Sequence, residues 1–115
     1  MSSRNPLFQS PPYAVEQALK SLGANLRTAR LRRNQTIEQV AARLGVGRHV
    51  VADAERGKLT TGIGVYAGLL WVFGLTAQLE RVADPDGDEE GKQLSKRDER
   101  LRAKPTAKGA MDNDF

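Results

Sequence analysis

The side chains able to do chemistry in this 115-residue chain are few, and most are of one kind. Cysteine is absent and His49 is the single histidine. Disulfides, thiolate-held zinc and thiol catalysis are thereby excluded, and neither a His-rich metal site nor a histidine-based triad has the partners it needs. No paired carboxylates fall in an apolar stretch where one could be kept protonated for acid–base work. The sequence therefore predicts no enzyme, no metal and no cofactor. What remains is charge and hydrogen bonding: 18 Lys and Arg against 14 Asp and Glu, a net charge of +4. These charges are unevenly spread. Residues 13–83 hold ten Lys or Arg and five Asp or Glu, whereas residues 84–115 hold seven against nine. A basic compact segment favours a polyanionic partner, nucleic acid being the commonest, although basicity also serves solubility alone.

The densest patterned group of such side chains lies in residues 36–58. Thr36 is a good helix N-cap, because its hydroxyl can accept from the free N–H groups of the following turn. Ile37, Val40, Ala41 and Leu44 then line one face of a short helix. Gly45 ends it, since glycine reaches the left-handed conformation without a Cβ clash. Val46 seals the turn, and a second helix over 47–56 turns Val50, Val51 and Ala54 inward. Ala41 is small where the two helices must approach. Gly47, Arg48, His49, Ala52 and Asp53 are left on the outer face. Two short helices on a tight turn, with an arginine opening the second, suit insertion into a DNA major groove.

Other elements must hold this pair. Val15, Leu19, Leu22 and Leu26 recur at three- and four-residue steps, which predicts a helix over 13–33 with Gly23 weakening its middle. Residues 62–73 form a helix that is apolar almost all round, and its glycines leave packing to stabilise it. The apolar run from Ile63 to Leu75 falls short of the roughly 20 residues that cross a bilayer. With no apolar leader at the N-terminus, a soluble cytoplasmic protein is expected, without membrane partners. Residues 76–82 fit either a short strand or a further helical turn. Three zones emerge: an N-terminal arm at 1–12 rich in proline, a helical domain at 13–83, and a charged tail at 84–115. The tail opens with the breaker run Asp84-Pro85-Asp86-Gly87 and has too few large apolar residues to offset its ordering entropy alone. It is expected to be disordered or to fold on a partner, with some helix available around 88–103.

The phrases Leu26-Arg27-x2-Arg30, Thr36-x3-Val40-Ala41-x2-Leu44-Gly45-Val46 and Val51-x3-Glu55-Arg56-Gly57-Lys58 resemble the XRE, or lambda-repressor-like, helix-turn-helix family over about residues 20–75. The resemblance implies an all-α bundle of four to five helices that binds double-stranded DNA, with Arg30 and Glu55 paired across it. It also implies base reading by Arg48, His49, Ala52 and Asp53, and backbone contacts from Thr36, Arg43, Gly47, Lys58, Thr60 and Thr61. Arginine can fork onto guanine O6 and N7, and aspartate can accept from cytosine N4. The family more often has Ser or Thr where Gly47 and Ala52 stand. Arg32 and Arg33 read as a solvated helix end.

Operators of this family are usually palindromes read by dimers. Tyr66, Leu70, Trp71 and Phe73 exceed what one small core is expected to absorb. Together with Leu79 they form the candidate homodimer interface, with Trp71 its anchor. The layout beyond the domain, Val82-Ala83-Asp84-Pro85 followed by a mixed-charge segment, resembles HipB-type antitoxins. That resemblance implies a repressor of its own operon that binds a HipA-type kinase toxin, and a strand after the fourth helix that pairs across the dimer. Phe115 could enter a partner pocket. Two other functions fit the same residues: a stand-alone phage- or plasmid-type repressor, and an interaction adaptor that no longer binds DNA, which Gly47, Ala52 and Asp53 would favour.

Overall fold

The computed structural model describes residues 5–103, so Phe115 lies outside the described residues. Among the described residues seven α-helices follow in order: α1 (Pro6–Gln9), α2 (Tyr13–Arg32), α3 (Ile37–Leu44), α4 (Arg48–Glu55), α5 (Ile63–Val72), α6 (Thr76–Glu80) and α7 (Glu89–Ala103). A 3-10 turn at Pro85–Gly87 precedes the last. The fold is all-α, and no strand occurs among the described residues. The chain divides after Leu79 into two units.

In the first unit the core forms where the apolar stripes of α2 to α5 meet. Leu26 and Ala29 come from α2, Val40 and Ala41 from α3, and Val51 and Ala54 from α4. Tyr66, Leu69, Leu70 and Val72 of α5 and the adjoining Phe73 complete it. Val51 and Ala54 are wholly enclosed at 0% exposure. Burying a side chain the size of valine contributes about 1.5–3 kcal/mol, so these positions tie the outward face of α4 to the core behind it.

Local chemistry sets the ends of α3. The Thr36 hydroxyl accepts from the Gln39 backbone N–H at 3.0 Å, and the Gln39 side-chain oxygen accepts from the Thr36 N–H at 2.9 Å. This reciprocal cap satisfies two donors that a helix start otherwise leaves open. At the other end Gly45 takes φ 73°, and the Val46 N–H reaches back to the Ala41 carbonyl at 3.0 Å.

Gly23 does more than weaken α2. A Cβ built there would lie 2.5 Å from the Glu55 carbonyl oxygen, 2.6 Å from that of Ala54 and 2.7 Å from the Gly57 nitrogen. The absence of a side chain lets the end of α4 rest directly on the α2 backbone. Gly57, at φ 71°, faces the Leu19 carbonyl in the same contact.

Two expectations need correcting. Tyr66, Leu70 and Phe73 are 2%, 7% and 4% exposed within one chain. The single core thus absorbs three of the four large side chains thought to exceed it, because α5 packs against both α3 and α4. Residues 76–80 are helical, with the partly buried Leu79 packed against the core, so the strand reading fails there: a one-turn helix rests Leu79 on the core without needing a second chain. Arg32 and Arg33 are exposed at the end of α2, as a solvated helix end requires, and the Arg33 guanidinium is also engaged. It donates to the carbonyls of Ala29 at 2.9 Å and Phe73 at 3.0 Å, and lies 5.5 Å from the centre of the Phe73 ring.

In the second unit Asp84 caps the 3-10 turn through the Asp86 N–H at 3.1 Å. Residues 89–103 form the single helix α7, none of whose residues is buried. Leu94 and Leu101 are both about half exposed on it, at 52% and 55%.

Candidate nucleic-acid interface

The second helix of the motif, α4, begins at Arg48 behind an N-cap, Gly47, that supplies no side-chain hydrogen bond. Its first N–H groups are therefore uncapped by any side chain, and a helix N-terminus of this kind suits a phosphate oxygen. Gly47 also makes room for His49. A Cβ at Gly47 would meet the imidazole Cε1 and Nδ1 at 2.9 Å, so a serine here would displace the ring. Arg48 and His49 are both exposed on the first turn of α4.

The other two candidate base readers differ. Ala52 is half-buried. The Asp53 side chain is 19% exposed, accepts from Lys58 Nζ at 3.3 Å and is ion-paired with Arg56. The Lys58 backbone N–H also donates to the Asp53 carbonyl at 3.0 Å. Asp53 therefore fastens the end of α4 to the following loop, and its charge is shared by two cations before any base is offered.

The candidate backbone contacts fall into separate places. Thr36 stands at the α3 N-terminus; its hydroxyl accepts within the helix cap and keeps its proton to donate outward. Lys58 and Thr60 are exposed in the loop after α4, and Thr61 is half-buried there. Arg43 lies apart from them. Its guanidinium sits 5.1 Å from the centre of the Trp71 ring, which directs it toward α5. Trp71 itself is 55% exposed.

Behind this surface Arg30 and Glu55 pair in fork geometry. Arg30 Nε donates to Glu55 Oε2 at 2.6 Å and Nη2 to Oε1 at 3.0 Å, while Nη1 donates to the Gln35 carbonyl at 2.9 Å. The two side chains are 8% and 6% exposed. Hydrogen bonding to Glu55 raises the Arg30 pKa against the opposing effect of burial. The pair fixes α2, the turn before α3 and the end of α4 in one register, and so sets the angle at which α4 is presented.

Sequence reasoning passed over Glu38. Arg48 Nε donates to Glu38 Oε2 at 2.8 Å, linking the first turns of α3 and α4. Donation from Arg48 is the main reason the Glu38 carboxyl is held below its ordinary range. The ten-residue separation gives no helical periodicity from which this contact could have been read. Arg56 was likewise missed as a partner of Asp53; its i,i+3 spacing was the available signal.

A short first helix, a glycine turn and a second helix offering arginine and histidine outward define a helix-turn-helix DNA-binding regulator. The helix-turn-helix domain family matches residues 21–83, more than half of the chain, and the chain belongs to that family. Its members are typically not enzymes. Comparison with curated proteins and with solved structures gives no match. No helix among the described residues is long and apolar enough to cross a membrane.

Proposed function

We propose that the protein is a sequence-specific transcriptional repressor that reads a palindromic operator as a homodimer. One observation carries this reading: Arg48 and His49 stand exposed on the first turn of α4 while Val51 and Ala54 of the same helix are wholly enclosed in the core. A helix so anchored can enter a major groove without moving. Arg48 supplies the fork for a guanine edge. Thr36, Gly47, Lys58, Thr60 and Thr61 hold the backbone on either side, which sets register. His49 contributes a second base contact, Ala52 a small apolar one, and Asp53 acts mainly through Lys58. The dimer is built on Trp71, whose exposed ring on α5 stacks with Arg43 of α3, with Leu79 at the core edge.

The finer reading is that the protein is the antitoxin of a HipA-type kinase toxin and represses its own operon. Helix α7, with two half-exposed leucines seven residues apart and no buried residue, supports a segment that completes its packing on a partner. The helical turn at 76–80 withdraws one feature of that layout, the strand. Selection from a random DNA pool tests the repressor. Enrichment of a symmetric motif with half-sites about 34–36 Å apart is expected, and a pool that stays unenriched would contradict it. A purified HipA-type kinase should bind the full chain and lose binding when residues 84–115 are removed. Unchanged binding would place the contact elsewhere.

A further inference from the structure

We propose that Glu38 is a positioning residue for base readout, holding Arg48 so that both of its terminal nitrogens face one guanine edge. The inference rests on the base-reading role of Arg48 argued above. The contact engages Arg48 through Nε alone, at 2.8 Å from Glu38 Oε2. Among the described residues Nη1 and Nη2 of Arg48 make no hydrogen bond. Those two atoms form the end of the guanidinium fork, and guanine O6 and N7 accept from such a fork as a pair. A carboxylate on Nε leaves the fork free while fixing the plane in which it lies, and less side-chain freedom is then lost on meeting the base.

Stability does not account for this pair. Its side chains are 60% and 64% exposed, and exposed ion pairs contribute little to folding. A carboxylate at the α3 N-terminus has a local reason in the helix dipole, but that reason does not require contact with a residue on the next helix. Placed beside incoming phosphates, Glu38 must weaken binding to any DNA. A residue that lowers general affinity while ordering the one arginine at the start of the reading helix raises the ratio between right and wrong sequences. Because Arg48 holds the carboxyl low, the pair stays ionised through the neutral range.

The test measures binding of the full-length chain to its selected operator, to the same operator with the guanine read by Arg48 replaced, and to random duplex. Glu38→Ala should tighten binding to random duplex and lower the ratio of operator to variant operator several-fold. Glu38→Gln keeps an acceptor for Nε without the charge, so it should keep part of the ratio. In an Arg48→Ala background, removing Glu38 should leave the ratio where Arg48→Ala alone put it. Equal tightening on all three DNAs with an unchanged ratio would overturn the proposal, since Glu38 would then only repel. If Arg48→Ala itself leaves the ratio unchanged, the base-reading role of Arg48 fails and the positioning role with it. Melting temperatures within a degree or two of wild type show that the fold is intact in each variant, as expected for an exposed pair.

Discussion

Replacing Gly23 by alanine should destabilise this protein, against the usual effect of that change in a helix. In a helix interior alanine is favoured over glycine by about 1 kcal/mol. At Gly23 the added methyl would come within 2.5–2.7 Å of three backbone atoms, two carbonyl oxygens of α4 and the Gly57 nitrogen, well inside the 3.4 Å of an ordinary contact. None of these is a side chain that can swing away. The end of α4 must therefore lift from α2, in a core that tolerates overpacking at a cost of about 1–3 kcal/mol, with backbone clashes at the upper end. Subtracting the propensity gain leaves a net loss of about 2 kcal/mol. For a domain of this size the melting temperature should fall by roughly 8–16 °C. Gly64 is the internal control: it lies in α5, and a Cβ there meets nothing within 4 Å. Gly64→Ala should stabilise by about 0.4–1 kcal/mol. Circular dichroism melts and urea titrations of both variants measure the two signs. A Gly23→Ala protein as stable as wild type would refute the close approach of α2 and α4.

Glu55→Ala leaves the buried Arg30 guanidinium without its carboxylate and should cost about 3–5 kcal/mol in urea unfolding, as breaking a buried pair does; a loss under 1 kcal/mol would mean that water already reaches the pair. Burial raises the Tyr66 pKa, and its hydroxyl donates to the Lys58 carbonyl at 3.2 Å. The native state therefore favours the protonated phenol. The resulting stability is present below the unfolded value of about 10 and is lost as pH rises through the raised native one. Unfolding curves from pH 8 to about 11 should show this loss in wild type and a flatter profile in Tyr66→Phe, and equal slopes would contradict it. Trp71→Ala should shift sedimentation from dimer to monomer with little change in the melting temperature, because Trp71 lies outside the core; a dimer that persists would remove Trp71 from the interface.

The parts of this fold that were legible in the sequence are those encoded within a few residues. The Thr36 cap, the Gly45 stop and the apolar spacing of α2 and α3 each depend on neighbours one to four positions away, and each is visible in the letters. Arg30 and Glu55 became readable only through a family resemblance, since 25 residues separate them. Contacts set by packing were hidden. Gly23 reads as a weak point until the carbonyls of α4 are seen beside it. Arg33 reads as a free cation until the Phe73 carbonyl, 40 residues on, lies within reach. Counting large apolar side chains overestimated what must be left over for a dimer, because composition does not reveal that α3 and α4 pack on α5 and bury Tyr66, Leu70 and Phe73. At the interface the residue types pointed to Arg48 and His49, but not to the carboxylate that holds Arg48 or to the cations that occupy Asp53.

The central claim is that α4 reads a specific DNA sequence. The most direct measurement is a titration of the full-length protein against the DNA upstream of its own gene, with a scrambled duplex of equal composition, each at two salt concentrations. Binding should be at least about a thousandfold tighter to the upstream duplex, as for specific operators generally. Affinity for both duplexes should fall steeply as salt rises, because each phosphate contact releases counterions. Equal binding to both duplexes, or affinity that ignores salt, would contradict the account and leave the helical bundle as a platform for protein partners.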